Sequence, residues 1–173
     1  FFNLFGAIAG RSTYVSLLSQ YPQAMLKVGK VLGASKWATD YLIRHPILLD
    51  ELLDERITYV DDYTPVDTTG YMDRTRDRLA QVDENDQETR MNLLRECHHA
   101  RLFRLLIADL EGRFSVERLA DHLSALADST LEIAIEEAWK TVPGIFRDIP
   151  KFGIVAYGKL GGKELGYASD LDL

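Results

Sequence analysis

Two long stretches of the chain repeat apolar residues at intervals of three and four, the spacing that places them on one face of an α-helix. The first stretch covers residues 86–111 and is followed by Gly112. The second begins after Ser115, a residue type that caps helix N-termini, and ends at Pro143-Gly144. Each stretch predicts a helix of roughly 40 Å. Because a turn of about four residues joins them, we expect the two helices to pack antiparallel.

Shorter helices are predicted in residues 1–53. Ser12 and Ser35 each stand before an apolar helical repeat, where an N-cap residue is expected. Pro22 and Pro46 suit the first turn of a helix, where the missing N–H group costs nothing. The pattern therefore indicates paired short helices ahead of the two long ones.

The segment between these helical blocks has little periodicity. Residues 54–69 predict a loop, and we interpret Asp61-Asp62 there as solvated carboxylates rather than as a metal site. Tyr71–Leu79 predicts a short helix whose charges of both signs suit a solvated face.

The cluster Cys97-His98-His99, with His122 on the facing helix, contains the residue types of a zinc site. Adjacent residues on a helix diverge by about 100°, so His98 and His99 do not reach one ion without distortion. We interpret these histidines as structural.

The pattern changes at the end of the chain. Phe152–Tyr157 is a short apolar run without a helical period, which predicts a buried β-strand. A turn follows that contains Lys159 and Lys163, and we predict that its Leu160 and Leu165 belong to the core. Glycine allows positive φ angles and a close approach of the backbone to an anion, so this turn predicts a phosphate-binding site. Its glycines are Gly158, Gly161, Gly162 and Gly166.

Asp170 and Asp172 alternate with Leu171 and Leu173 in the last residues. Residues two apart on a strand share a face, about 7 Å from each other. A second strand here would present both carboxylates on one side and both leucines to the core. Mg²⁺ is usually held by one or two carboxylates together with substrate phosphates. The pattern therefore indicates nucleotide chemistry; the alternative is a glycine-rich surface loop with an acidic strand end.

The order of strand, glycine-rich turn, short helix and Asp-x-Asp strand resembles the nucleotidyltransferase superfamily that includes the polymerase-β-like enzymes. That superfamily usually has Gly-Ser or Gly-Gly before the Asp-x-Asp, and the matching pair here is Gly158-Lys159, with lysine in the serine position. The resemblance implies that Asp170 and Asp172 are catalytic residues that hold Mg²⁺. It also implies a third carboxylate on a later strand.

A longer string, YGKLGGKELGYASDLDL at residues 157–173, closely resembles the glutamine synthetase adenylyltransferase family. That family carries the string twice, once in each catalytic half. ELGY at 164–167 and Leu171 are similar to the adenylylating, C-terminal half, whereas the deadenylylating half tends to have Asn and Ile there. The stretch RHPILLDELL at 44–53 is also similar to the family.

This resemblance implies an enzyme that transfers AMP from ATP to a tyrosine of glutamine synthetase and so regulates nitrogen assimilation. Asp170 and Asp172 would hold Mg²⁺. The implied partners are ATP and glutamine synthetase, with a PII-type signal protein as a further candidate. The residues implied to bind the nucleotide phosphates are Gly158, Lys159, Gly161, Gly162 and Ser169.

We therefore predict a mainly α protein with two parts. Residues 1–148 would form a helical bundle, and residues 149–173 the truncated start of an α/β nucleotidyltransferase domain. Because the third carboxylate is absent, we expect this chain to be inactive alone. Two alternatives stay open: a helical regulatory or scaffold module that binds glutamine synthetase or a PII-type protein, and the deadenylylating half of the same enzyme.

Charge, cysteine content and hydropathy indicate which other partners and locations to expect. The net charge is −7, from 20 basic and 27 acidic residues, and no run of Lys and Arg forms a basic face, so we expect no nucleic-acid partner. The single cysteine excludes an internal disulfide and fits a cytoplasmic location. The apolar stretches are too short to predict a membrane span.

Overall fold

The computed structural model describes part of the chain. The described residues are Leu4, Gly6, 12–53, Val66, 68–144 and 151–173, with the backbone alone for 12, 13, 17, 52 and 53. The predicted loop with Asp61-Asp62 lies outside them. So do the residues around the predicted domain boundary after position 148, which stays a prediction.

The described residues are mainly α-helical, as the sequence predicts, and none of them is assigned to a β-strand. In chain order the elements are α1 (Ser12–Gln20), α2 (Pro22–Ala34), α3 (Lys36–Arg44), a 3₁₀ helix (Pro46–Leu53), α4 (Thr69–Leu79), α5 (Gln87–Leu110), α6 (Val116–Lys140) and the short α7 (Gly158–Gly161).

Local capping chemistry sets several of these ends. The side chains of Ser35 and Ser115 accept hydrogen bonds from N–H groups in the first turns of α3 and α6, so both predicted caps are confirmed. Pro22 opens α2 as predicted. After α5, Gly112 has φ +72°, and the N–H of Arg113 donates to the carbonyl of Ala108, which is the hydrogen bond of a Schellman ending.

The chain divides into two compact units. The first comprises Phe1–Thr64 and Phe103–Phe114. In it α2 packs against α1, α3 and the 3₁₀ helix. An ion pair between Arg104 and Glu51, 2.5 Å apart, adds a polar contact to this unit. The fully buried large side chains of this unit include Leu4, Val28, Val31, Leu42, Leu48, Leu49, Phe103 and Leu105.

The second unit comprises Pro65–Leu102 and Ser115–Leu173 and contains the predicted site. Arg90, near the start of α5, pairs with Glu137, near the end of α6. His98, further along α5, pairs with Thr130, which comes earlier in α6. Because the partners run in opposite order, the two helices are antiparallel in this unit, as predicted.

The predicted strand Phe152–Tyr157 is wrong, because residues 151–157 have no regular secondary structure. Phe152 is 68% exposed and Val155 64% exposed, while Ile154 and Ala156 are half-buried. Ile154 and Ala156 line a groove of about 230 Å³ beside α6. The side chains therefore alternate between exposed and half-buried positions, as they do in an extended chain. The segment is nevertheless not a strand, because a strand needs a ladder of hydrogen bonds to a neighbouring segment.

The second predicted strand fails for the same reason. A single described backbone hydrogen bond, from the N–H of Tyr157 to the carbonyl of Asp172 at 2.9 Å, joins the two extended segments. Leu171 and Leu173 are 39% and 56% exposed, so the prediction that they face the core is also wrong.

Hydropathy adds one observation on the helices. Among the described residues, none of the helices combines the length and the apolar character that crossing a membrane requires.

Candidate nucleotide and metal site

The glycine-rich turn starts at α7 with a left-handed backbone. Gly158 has φ +52°, a region where the Cβ of other residues clashes with the backbone. At Gly161 an added Cβ would lie 2.6 Å from the carbonyl oxygen of Ala156. Glycine at these two positions lets α7 fold back tightly against the extended segment. Leu160 and Leu165 are buried, as predicted, and fix the turn to the unit.

Three of the predicted phosphate-binding residues use their backbone N–H groups inside the turn. Gly161 and Gly162 donate to the carbonyls four residues earlier, at 2.9 and 3.0 Å. Ser169 donates to the carbonyl of Gly166 at 3.1 Å. Lys159 is exposed. These bonds shape the turn, and the roles of the residues toward phosphate stay predictions.

Asp172 lies directly over the first residue of the turn. An ideal Cβ on Gly158 would overlap Oδ2 of Asp172 and would stand 3.1 Å from its Cγ. The hydrogen bond from Tyr157 to the carbonyl of Asp172 brings the two segments together. The structure thus joins one predicted metal ligand to the start of the predicted phosphate-binding turn, and the missing side chain of Gly158 makes the space.

A small turn carries Asp170. The N–H of Gly166 donates to Oγ of Ser169 at 3.0 Å, and the N–H of Ser169 returns a bond to the carbonyl of Gly166. Asp170 and Asp172 are both exposed, so their carboxylates are open to an incoming ligand. The turn closes a cavity of about 110 Å³ against the helical hairpin.

The donor set fits Mg²⁺. Asp170 and Asp172 supply two carboxylates, a donor type that hard cations prefer, and substrate phosphates usually complete the shell of a magnesium ion. The described residues contain no group of three or more His, Cys, Asp and Glu side chains placed to hold a metal ion. Asp170 and Asp172 stay a predicted pair of ligands.

The histidine cluster has a structural arrangement in the described residues. Nδ1 of His98 lies 3.3 Å from Oγ1 of Thr130, and burial lowers the pKa of His98. His122 is buried in α6. The sequence interpretation of His98 as a structural residue agrees with this geometry.

Sequence reasoning did not single out Thr130 or Tyr71. The hydroxyl of Tyr71 lies 3.0 Å from Oγ1 of Thr130, so α4, α5 and α6 are joined by one polar chain that ends at His98. A single threonine on an amphipathic helix carries no sequence signal for such a contact. The contact depends on how three helices pack.

Comparisons with known proteins bear on the whole chain. The family model described as glutamate-ammonia ligase adenylyltransferase matches residues 25–173. The chain belongs to this family.

Individual relatives are similar along the full chain. A protein of Ralstonia nicotianae, named bifunctional glutamine synthetase adenylyltransferase/adenylyl-removing enzyme, is 51% identical over 100% of this chain. Proteins with the same name from Aromatoleum aromaticum and Chromobacterium violaceum are 52% and 45% identical over 99% and 98% of it. The chain spans 18% of the length of each of these relatives.

Proposed function

We propose that this chain carries the metal-binding and phosphate-binding segment of an enzyme that transfers AMP from ATP to a tyrosine of glutamine synthetase. The observation that carries the proposal is the placement of Asp172 over Gly158, where a carboxylate meets the start of the glycine-rich turn. The names of the relatives support the substrate and the acceptor. Because the chain spans 18% of their length, the activity is proposed for a longer protein and not for this segment alone.

The proposed reaction is a substitution at the α-phosphorus of ATP. The tyrosine oxygen forms a bond to that phosphorus, the bond to the β-phosphate oxygen breaks, and pyrophosphate leaves. The phenol proton is lost to solvent or to a base. When bound, Mg²⁺ offsets phosphate charge and polarises the phosphoryl group.

Each site residue has a separate task in this proposal. Asp170 and Asp172 hold Mg²⁺ through their exposed carboxylates. Lys159 offsets the charge of the triphosphate from the same turn. Glycine at 158 and 161 leaves the space that Asp172 and the carbonyl of Ala156 occupy, so these glycines, with Gly162, shape the turn proposed to bind the phosphates. Ser169 holds the turn through its bond with Gly166.

We assign the chain to the adenylylating activity rather than to the removing activity. The support is the string ELGY at 164–167 with Leu171, which is similar to the adenylylating half of the family. The relatives are named for both activities, so an assay needs to read both directions. The same proposal includes a PII-type protein as a regulator of the enzyme and the cytoplasm as its location.

The test uses the complete enzyme that contains this sequence. Purified protein, Mg²⁺ and ATP labelled at the α-phosphate are incubated with glutamine synthetase, and protein-bound label is measured. We expect label on wild-type glutamine synthetase and none on a variant whose acceptor tyrosine is phenylalanine. In the complete enzyme, Asp170→Asn should abolish transfer and keep the release of label from prelabelled glutamine synthetase, and the reverse pattern would assign the segment to the removing half. If the complete enzyme neither transfers label to glutamine synthetase nor releases it, the proposal fails.

Replacing Gly158 with alanine is expected to weaken cation binding at least tenfold. The new Cβ would overlap Oδ2 of Asp172 and displace the carboxylate. The left-handed φ of +52° adds a cost of about 1–2 kcal/mol to folding for a residue with a Cβ. Binding of Mn²⁺, which accepts the same oxygen ligands as Mg²⁺, can be followed by electron paramagnetic resonance.

Gly153→Ala is the matched control, because an added Cβ there meets no atom within 4 Å. It should bind Mn²⁺ as the unchanged protein does. Equal affinity in the Gly158→Ala and Gly153→Ala variants would show that the close approach of Asp172 to Gly158 does not build the site.

A further inference from the structure

A polar chain runs through the second unit beneath the candidate site. Thr130 is its centre: Oγ1 donates to the carbonyl of Leu126 at 2.8 Å, and it lies 3.0 Å from the hydroxyl of Tyr71. Nδ1 of His98 lies 3.3 Å from the same oxygen. Three helices, α4, α5 and α6, thus meet at one hydroxyl group.

The proton count of Thr130 assigns the other bonds. A threonine hydroxyl has one proton and two lone pairs. A carbonyl oxygen accepts and does not donate, so the single proton goes to Leu126. Tyr71 and His98 must therefore both donate to Oγ1. His98 is then the neutral tautomer that carries its proton on Nδ1. Burial lowers the pKa of His98 and so favours this neutral form.

His98 lines a cavity next to the Asp-x-Asp segment. The 110 Å³ cavity has one wall from the helical hairpin, to which His98 and Leu126 contribute. Its other wall is the turn that includes Gly166, Ser169 and Leu171. Ser169 and Leu171 are the residues on either side of Asp170. His98 and the two residues that flank Asp170 therefore line the same cavity.

We propose that Thr130 is a positioning residue for the metal-binding segment: its hydroxyl fixes His98, and His98 supports the turn from Gly166 to Leu171 that places Asp170 and Asp172. The supporting role is a property of this fold, and its catalytic consequence rests on the function proposed above. The hydrogen bonds of Thr130 join it to Leu126, Tyr71 and His98 and to neither carboxylate, so it acts through His98.

The direct test is amide hydrogen exchange in the complete enzyme that contains this sequence, measured by mass spectrometry with fragmentation that resolves single amides. The two reporting amides are those of Gly166 and Ser169, since their bonds close the turn. In Thr130→Val, which keeps the shape but removes the acceptor, we expect these two amides to exchange at least tenfold faster. The amide of Ile133, a fully buried residue in α6, should change much less.

Two variants make the result specific. Thr130→Ser restores the hydroxyl and should restore slow exchange. Ser129→Ala removes a neighbouring hydroxyl that donates to the carbonyl of Ala125 at 2.8 Å, and it should leave Gly166 and Ser169 unchanged. If Thr130→Val does not fold, His98→Ala takes its place and should accelerate the same two amides.

Two outcomes would overturn the proposal. In one, the exchange of Gly166 and Ser169 increases no more in Thr130→Val than in Ser129→Ala. In the other, all amides accelerate equally, as a loss of global stability alone would produce. For His98→Ala, unchanged exchange at the two amides counts against the proposal in the same way.

A second readout separates this proposal from the proposed function. In the complete enzyme, Thr130→Val should raise the Mg²⁺ concentration for half-maximal AMP transfer at least fivefold, and Thr130→Ser should bring it back. If the unchanged enzyme transfers no AMP, the proposed function fails, while the exchange result still decides whether Thr130 holds the turn. If transfer is normal and its Mg²⁺ dependence does not respond to Thr130→Val, the positioning role fails alone.

Discussion

Asparagine in place of Asp170 or Asp172 is expected to abolish AMP transfer in the complete enzyme, with a loss of at least about a hundredfold in kcat, or about 2.7 kcal/mol of transition-state stabilisation. Asparagine keeps the size of the side chain but removes the negative charge that a Mg²⁺ ligand supplies. Both aspartates are exposed, so the free energy of unfolding should stay close to that of the unchanged protein. Transfer of α-labelled AMP and urea unfolding measure the two quantities.

Asp73→Asn is the matched control for these variants. Asp73 is an exposed aspartate on α4 and should tolerate the change in both assays. A loss of activity in Asp170→Asn or Asp172→Asn that merely follows a loss of folded protein would instead assign the pair a structural role. The alternative of a surface loop with an acidic end would then be favoured.

The largest effect on stability is expected at the buried pair of Arg90 and Glu137, whose side chains are 3% and 4% exposed. Nε of Arg90 donates to Glu137 at 2.6 Å, and Nη1 donates to the carbonyl of Leu79 at 2.8 Å, beyond which α4 ends. Glu137→Gln leaves the guanidinium buried without its counter-charge, which costs about 3–5 kcal/mol. That is a large part of the 5–15 kcal/mol typical of a domain. Urea unfolding measures the loss.

The neighbouring glutamate on the same helix supplies the control. Glu136 pairs with Arg76 at 2.6 Å, but both side chains are more than a third exposed. Glu136→Gln should therefore cost less than about 1 kcal/mol. Similar losses of unfolding free energy in Glu136→Gln and Glu137→Gln would show that burial does not determine how much the Arg90–Glu137 pair contributes to stability.

The pH dependence of the same pair has a defined sign. Burial by itself raises the pKa of Glu137, but the hydrogen bonds and charges of Lys140 and Arg90 outweigh it and leave the pKa below its ordinary value. A lowered pKa means that the contribution to stability is present above the ordinary pKa of a glutamate and is lost as the pH falls through the folded value. In Glu137→Gln this part of the acid sensitivity should disappear.

The sequence by itself determined the helices and the parts of the site that lie close together in the chain. Ser35, Ser115 and Gly112 end or begin helices through bonds to residues a few positions away, so the sequence carries that information directly. Leu160 and Leu165 were identified as core for a similar reason, since they are the apolar residues of a glycine-rich turn.

Only the tertiary structure decided the contacts between distant segments. Arg90 pairs with Glu137, and Tyr71 and His98 hydrogen-bond to Thr130. These contacts depend on the register in which α4, α5 and α6 pack. An apolar period gives the face of a helix but not its register against a neighbour. The predicted strand at Phe152–Tyr157 failed for a related reason. Extended residues become a strand through hydrogen bonds to a neighbouring segment, and the described residues provide one such bond, to Asp172.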